Sequence, residues 1–235
     1  MNVNRKVGFM IAVSVAAIFP IIFLVIFANL KQPTIKPDTV LPIYGNKVPF
    51  ERTNADGDLV IDTSYHTIPK FKLITHLGDT ITESRLRGVV TVVDFFFTTC
   101  PTICIDMAKN KRVIQEHFKT DKDVQIVSFT VDPETDTQEQ LFRYAHDNDV
   151  NSSVWTLVTG DKPALYRLAR EGFLLNATEG DGGPHDFIHD NRFVLVDKEK
   201  RIRGFYDGTS AEETEKLIQD IEKLLVSYII PLKEK

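Results

Sequence analysis

The two cysteines of this 235-residue chain lie four residues apart, in the stretch DFFFTTCPTIC at residues 94–104. An apolar strand is predicted before them and a helix from about Pro101, which places Cys100 at the helix N-terminus and Cys104 one turn further along. Residues i and i+4 share a helix face, so both sulfur atoms point to one place. Backbone N–H groups and the helix dipole favour a thiolate there, and they lower the pKa of Cys100 in particular.

Two converging thiols suit a soft-metal site, a reversible disulfide or a structural disulfide. Cysteines in an oxidising compartment usually pair. However, closing a loop of four residues removes little entropy from the unfolded chain, so such a bridge would stabilise the fold only weakly. The position at the start of a helix therefore favours a reactive pair, as metal ligands or as a redox couple, over a structural bridge.

The segments that must hold these cysteines alternate between strands and helices. Strands are predicted at residues 59–62, 71–75, 80–82, 89–97, 124–131, 155–159, 193–197 and 202–207, and helices at residues 101–118, 137–147, 163–171 and 211–228. This order, with buried central strands, indicates an α/β fold. With a cysteine at a helix start and a terminal hairpin and helix, it resembles the thioredoxin arrangement, so we predict a thioredoxin-like fold: a central mixed β-sheet flanked by helices.

The N-terminal residues predict a membrane anchor. Residues 7–30 carry no charge and, at roughly 1.5 Å per helical residue, they are long enough to span a hydrocarbon core about 30 Å thick. A cleaved signal peptide is the alternative, although its apolar region is normally shorter and ends in a small-residue cleavage site. We therefore expect a cytoplasmic N-terminus at 1–6, a transmembrane helix at 7–30, an extended linker at 31–53 that contains four prolines, and one domain at 54–235.

Charge gives the expected location and excludes one class of partner. Arg5, Lys6 and the N-terminal amine favour a cytoplasmic N-terminus. The domain would then face the periplasm from a bacterial inner membrane, because no Arg- and Ser-rich mitochondrial presequence precedes the span. The net charge of −5 and the pI near 5.7 argue against nucleic acid, which requires a basic face.

Three motifs, in this order along the chain, resemble the Sco/SenC family. They are FFFTTCPTIC at residues 95–104, SFTVDPETDT at 128–137 and FIHDNRFVLVD at 187–197, in which His189 stands eight residues before the aspartate that ends a strand. Members of that family are membrane-anchored, thioredoxin-like proteins that handle copper for cytochrome c oxidase. The resemblance implies a copper metallochaperone that assists assembly of the binuclear copper site of cytochrome c oxidase subunit II. Another periplasmic copper carrier or a thiol reductant is the further partner that this role implies.

The resemblance also implies that Cys100, Cys104 and His189 bind one copper ion, as Cu(I) or Cu(II). Soft thiolates select Cu(I), and imidazole suits both copper states. Three ligands leave an open side from which the ion can be passed on. Zinc could use the same donors with a water molecule, so copper is favoured by affinity order and by the resemblance. His185, in the same Gly-rich loop, is either an auxiliary ligand or a solvated loop residue.

Asp94 interrupts the apolar strand six residues before Cys100. Thioredoxins carry a buried aspartate at that offset, where it takes part in thiol proton transfer. In that role Asp94 would act as a general acid–base on Cys104. The alternative is a carboxylate that is hydrogen-bonded within the core.

The acidic residues of the second motif follow a buried strand and could lie near the thiols. Asp132 is predicted either to orient a metal ligand or to form part of a turn. Asp136 fits turn or cap chemistry better, and either Asp136 or Thr137 is the expected N-cap of the next helix.

An enzyme is the alternative to a metallochaperone. A membrane-tethered thiol–disulfide reductase would keep the cysteines of oxidase subunit II reduced without carrying copper, and Asp94 favours it. His189 opposes it, because it stands in FIHDNRF where thioredoxins place a cis-proline. A redox sensor that signals through a disulfide of Cys100 and Cys104 is a third possibility.

Overall fold

The computed structural model describes residues 41–175 and 190–229. Within these two ranges, no helix is both long and apolar enough to cross a membrane. The anchor predicted at residues 7–30 lies outside the described residues, as do His185 and His189.

Strands and helices alternate in the described part of the chain. The strands are β1 (Lys47–Thr53), β2 (Leu59–Tyr65), β3 (Lys72–Thr75), β4 (Thr80–Thr82), β5 (Val90–Phe96), β6 (Val124–Thr130), β7 (Trp155–Thr159), β8 (Arg192–Val196) and β9 (Ile202–Asp207). The helices are α1 (Ile103–His117), α2 (Gln138–Asp147), α3 (Lys162–Arg167) and α4 (Ala211–Ile229), with a 3₁₀ turn at Glu83–Leu86 and a π-helical turn at Leu168–Gly172.

Strands β3 to β9 form one mixed sheet in the order β4-β3-β7-β6-β5-β8-β9. β6 is parallel to both β5 and β7, whereas the other neighbouring strands are antiparallel. Every residue of β5 and β6 is buried, as expected for parallel strands whose two faces are both covered. The predicted mixed sheet flanked by helices is confirmed.

Alternation along the strands sends side chains into two apolar layers. On one face, Val92 and Phe96 of β5 pack in a cluster with Met107 of α1, Leu141 of α2 and Leu217 of α4. On the other face, the side chains of β5 and β6 pack with α3 and the π-helical turn. The buried members of this second layer include Val93, Phe95, Val127, Leu165, Leu168 and Phe173. Helices therefore cover β5 on both faces, and β5 leads into the cysteines.

The end of the predicted linker is structured. Residues Lys47–Thr53 form β1, which pairs antiparallel with β2 as a separate two-stranded sheet. Before it, the carbonyls of Leu41 and Pro42 accept hydrogen bonds from the buried guanidinium of Arg203 in β9. The proline content of this segment predicted an extended spacer. Composition does not reveal its contact with Arg203, which lies about 160 residues away in the chain.

Three helix starts, those of α1, α2 and α3, differ from the prediction by one or two residues. α1 begins at Ile103 and not at Pro101, because the backbone of its N-cap, Thr102, is not helical (φ −129°, ψ −102°). Of the two expected caps for α2, Thr137 is the one observed, because its side chain accepts a hydrogen bond from the N–H of Gln140 at 3.3 Å.

Candidate metal and thiol centre

The two cysteines lie where β5 gives way to α1. In the turn between these elements, the N–H of Cys100 donates to the carbonyl of Phe97 at 3.3 Å. Cys104 is buried, with 7 % of its surface exposed, whereas Cys100 is partly exposed. Both thiols are free, and they line the same cleft. The helix start therefore brings the two sulfur atoms together, as their spacing predicted.

The two thiols have opposite pKa shifts. Burial raises the pKa of Cys104 to about 12, and the hydrogen bond with Cys100 acts in the same direction. Burial also opposes ionisation of Cys100, but hydrogen bonds from the Cys104 thiol, the Thr102 hydroxyl and two backbone N–H groups together lower its pKa below the ordinary 9.0. The pair thus combines an accessible, acidic thiol with a buried thiol that keeps its proton.

Asp136 holds the loop that precedes Cys100. Its carboxylate is fully buried and accepts hydrogen bonds from the N–H of Thr98 at 3.0 Å and from the Thr98 hydroxyl at 2.5 Å. The hydroxyl of Thr130, at the end of β6, donates to the same carboxylate at 2.6 Å. Burial raises the pKa of Asp136. The sequence predicted turn or cap chemistry for this residue and missed its contact with the cysteine loop; the motif TTCP, with a hydroxyl two residues before the cysteine, was the available signal.

Asp132 has the turn geometry that was one of its two predicted roles. Its N–H donates to the Thr130 hydroxyl at 2.9 Å, and its carbonyl accepts from the N–H groups of Thr135 and Asp136. The Asp132 side chain is buried. Its effect on a metal ligand stays a prediction.

Asp94 is fully buried in the sheet and paired with a lysine of α1. The ammonium of Lys111 lies 2.5 Å from one carboxylate oxygen of Asp94, and the hydroxyl of Ser128 in β6 donates to the other. Lys111 also donates to the Ser128 hydroxyl at 3.1 Å, and the indole N–H of Trp155 donates to it at 2.8 Å. The carboxylate is therefore hydrogen-bonded within the core, the second of its two predicted environments, and its part in proton transfer stays a prediction. Lys111 was not anticipated, although it lies seven residues after Cys104, on the same helix face.

The third expected ligand, His189, lies outside the described residues, but the strand that follows it is described. β8 pairs antiparallel with β5, with Val93 opposite Val194. The start of β8 therefore lies beside the carboxyl end of β5, which leads into Cys100. Asp190, the neighbour of His189 in the chain, forms an ion pair at this start with Arg192, at 2.5 Å. Within residues 41–175 and 190–229, no three His, Cys, Asp or Glu side chains cluster as a metal site.

A small cleft opens beside the cysteines between α1 and α2. Its volume is about 120 Å³, and both thiols line it. The opposite wall belongs to α2, where Tyr144 and Asn148 stand one turn apart. Phe97, Ile105 and Arg112 are among the other residues that line it. The thiols are thus reachable through the gap between α1 and α2.

A mixed sheet that leads into a CxxxC pair at a helix start defines a thioredoxin-like protein with a thiol or metal site. The model of the SCO1/SenC family matches residues 59–226. The chain therefore belongs to the SCO1/SenC family.

Similar proteins agree with this assignment. The chain is 28 % identical over 170 residues to the SCO1 protein homolog of Bacillus subtilis, which covers 71 % of this chain and 86 % of the relative. The solved structure of BsSco, described as a cytochrome c oxidase assembly protein with a disulfide switch, is 27 % identical, with a TM-score of 0.59 over 68 % of this chain and 93 % of the other. The copper-bound structure of ScoI from Arabidopsis thaliana is 25 % identical, with a TM-score of 0.54 over 67 % of this chain and 99 % of the other.

Proposed function

We propose that this chain is a copper metallochaperone that binds one copper ion through Cys100, Cys104 and His189. The observation that carries the proposal is the pair of free thiols at the start of α1 in a member of the SCO1/SenC family. Thiolate sulfur selects Cu(I), and imidazole suits both oxidation states of copper. The accessible thiol of Cys100 offers the ion a first contact, and the buried thiol of Cys104 offers the second.

The pairing of β5 with β8 supports His189 as the third ligand. It puts the chain that follows His189 at the end of the sheet where β5 leads into the cysteines. Two sulfur atoms and one nitrogen atom leave one side of a copper ion open, which suits delivery to another protein. The copper-bound relative from Arabidopsis thaliana adds support for copper over zinc.

Copper binding displaces a proton from Cys104. Burial raises the pKa of the Cys104 thiol to about 12, so this thiol is protonated at neutral pH. A cysteine must lose its proton when its sulfur binds a metal. Because binding releases this proton, the affinity for copper rises with pH. Acidification therefore favours release of the ion.

The proposed recipient is the binuclear copper site of cytochrome c oxidase subunit II. The description of BsSco as an oxidase assembly protein supports this choice. The uncharged run at residues 7–30 supports a single-pass anchor in a bacterial inner membrane, with the domain in the periplasm. A periplasmic copper carrier or a thiol reductant would reload or re-reduce the site.

Copper titration of the reduced full chain in detergent tests the proposal. A competing chelator of known affinity would report stoichiometry and affinity together. We expect one tightly bound ion, with binding weakened at least tenfold in Cys100→Ser and in His189→Ala, since each change removes a ligand. His146→Ala is the matched control, because His146 is exposed on α2. Binding that ignores both ligand changes would overturn the proposal.

A thiol–disulfide reductase is the second candidate, and the opposite pKa shifts of the two thiols favour it. A thiol with a lowered pKa, such as Cys100, attacks disulfides, and a buried neighbour can then resolve the mixed disulfide. His189→Ala separates the two functions. A reductase without a copper role keeps its rate of disulfide reduction in that variant, whereas a metallochaperone loses copper affinity.

A further inference from the structure

Arg112 is an unneutralised cation in the wall of the thiol cleft. Its guanidinium donates to the carboxamide oxygen of Asn148 at 3.5 Å, the long limit of a hydrogen bond. Among the described residues, no carboxylate forms an ion pair with Arg112, whereas the adjacent Lys111 is paired with Asp94. Arginine keeps its charge at every relevant pH. A partly buried guanidinium of this kind is suited to bind an anion from outside the chain.

Helix geometry places Arg112 on the helix face that carries Cys104. Cys104, Ala108 and Arg112 are spaced by four residues, and all three line the cleft. The Cα atom of Arg112 lies about 12 Å beyond that of Cys104 along the helix. The guanidinium contacts Asn148, which also lines the cleft, so its charge lies in the same cleft as the two thiols. Tyr144, on the opposite wall, lines the same cleft.

The form of the cleft indicates a protein as its occupant. Its volume of about 120 Å³ is below the roughly 300 Å³ of ordinary small-molecule sites. At its mouth the side chain of Ile105 is 62 % exposed. Protein–protein interfaces place apolar contacts beside polar and charged groups, and Ile105 and Arg112 would supply one of each.

We propose that this cleft binds a cysteine-containing segment of a partner protein that has a carboxylate close to its cysteine, and that Arg112 selects for that carboxylate. The inference rests on the proposed function, in which the site delivers copper to a partner protein or reduces a disulfide of that protein through Cys100. In the complex, the guanidinium of Arg112 forms an ion pair with the partner's carboxylate, and the sulfur of Cys100 contacts the sulfur of the partner's cysteine. The chain as a whole has a net charge of −5 and would otherwise repel acidic partners, so a local cation decides which ones approach.

Thiol–disulfide exchange with small disulfides of matched size provides the test. The Cys100 thiolate attacks one sulfur of the probe, the probe's S–S bond breaks, and half of the probe leaves as a thiolate that takes up a proton. Cys104 then loses its proton, attacks the sulfur of Cys100 and releases the second half. The net reaction oxidises two protein thiols to one disulfide and reduces one probe disulfide to two thiols. The probes are dithiodipropionate, which is anionic, bis(hydroxyethyl) disulfide, which is neutral, and cystamine, which is cationic.

The measured quantity is the ratio of the second-order rates for the anionic and the cationic probe, with the reduced full chain in detergent. We expect this ratio to fall about tenfold in Arg112→Gln and further in Arg112→Glu, because the attraction for the anion is lost and then reversed. The matched control is Lys109→Gln, an exposed cation on the same helix. The neutral probe should react within about twofold of its original rate in every variant, which shows that the fold and Cys100 are intact.

Two results would overturn the inference. One is a charge ratio that Arg112→Gln leaves unchanged or that Lys109→Gln lowers equally. The other result concerns the class of occupant. Disulfide-linked peptides with Glu or Lys beside the cysteine should show the same charge preference as the small probes. A charge preference that only the small probes show would exclude a protein segment as the occupant.

Copper titration of Arg112→Gln keeps the two proposals apart. An unchanged copper affinity with a lowered charge ratio supports the cleft, whereas absence of copper binding in the unmodified chain defeats the metallochaperone and leaves the charge ratio as a separate result.

Discussion

The ammonium of Lys111 and the carboxylate of Asp94 form an ion pair of 2.5 Å in which both side chains are almost fully buried. Lys111 also lies 4.7 Å from the ring of Trp155 and 4.9 Å from the ring of Phe96. The pair joins α1, which carries Cys104, to β5, which leads into Cys100. This buried ion pair thus anchors α1 to β5 within the core.

Breaking this pair should destabilise the fold strongly. We expect Lys111→Met to lower the free energy of unfolding by about 3–5 kcal/mol, because it leaves the carboxylate of Asp94 buried without a counter-charge. Chemical denaturation of the reduced chain would measure this change. The matched control is Lys119→Met, which removes an exposed pair with Glu116 and should cost below about 1 kcal/mol. The double change Asp94→Leu with Lys111→Met should recover most of the loss, and a single-variant cost no larger than the control's would contradict the assignment.

Alkylation should distinguish the two thiols by pH. The rate for Cys100 should rise with a midpoint below the ordinary pKa of 9.0, because its thiolate is stabilised by hydrogen bonds. Cys104 should react slowly throughout the neutral range, since burial raises its pKa to about 12. Mass spectrometry of chains treated with iodoacetamide over a pH series would give both profiles.

The variant Cys104→Ala tests the cause of the lowered pKa of Cys100. The Cys104 thiol provides the largest of the effects that lower it, so removing that donor should move the midpoint for Cys100 upward. A Cys100 midpoint at or above 9.0 in the unmodified reduced chain would refute the hydrogen-bonding account.

Removing the carboxylate of Asp136 should loosen the cysteine loop. Asp136→Ala leaves the N–H and hydroxyl of Thr98 and the hydroxyl of Thr130 without their acceptor. We expect a loss of about 2–4 kcal/mol in the free energy of unfolding and faster alkylation of Cys104. Denaturation and alkylation in a Cys100→Ser background would measure the two effects. If Asp147→Ala, at an exposed position of α2, produced the same changes, the loop would not depend on Asp136.

Local patterns predicted the parts of the centre that are close in sequence. The apolar run before Cys100 and the four-residue spacing to Cys104 were sufficient to predict strand, helix start and converging thiols. The alternation of buried strands and amphipathic helices predicted the mixed sheet. These features depend on neighbours within one or two turns, which a sequence shows directly.

Contacts between distant residues were the part that the sequence did not reveal. For Asp94 the sequence predicted either thiol proton transfer or a hydrogen-bonded carboxylate in the core, but not its partners Lys111 and Ser128, which come from a helix and a second strand. Asp136 read as a turn residue for the same reason, since its bond to Thr98 spans 38 residues. Such contacts between distant residues depend on which strands and helices the sheet places side by side, and the three-dimensional structure is needed to see them.

X-ray absorption at the copper edge tests the central claim most directly. The reduced full chain in detergent would be loaded with one equivalent of Cu(I), alongside His189→Ala and the control His146→Ala. We expect a first shell of two sulfur atoms at about 2.3 Å and one nitrogen atom at about 2.0 Å, by comparison with zinc at the same donor types. The nitrogen should disappear in His189→Ala and remain in His146→Ala. A shell with fewer than two sulfur atoms, or one that His189→Ala leaves unchanged, would contradict the assignment of Cys100, Cys104 and His189 as the copper site.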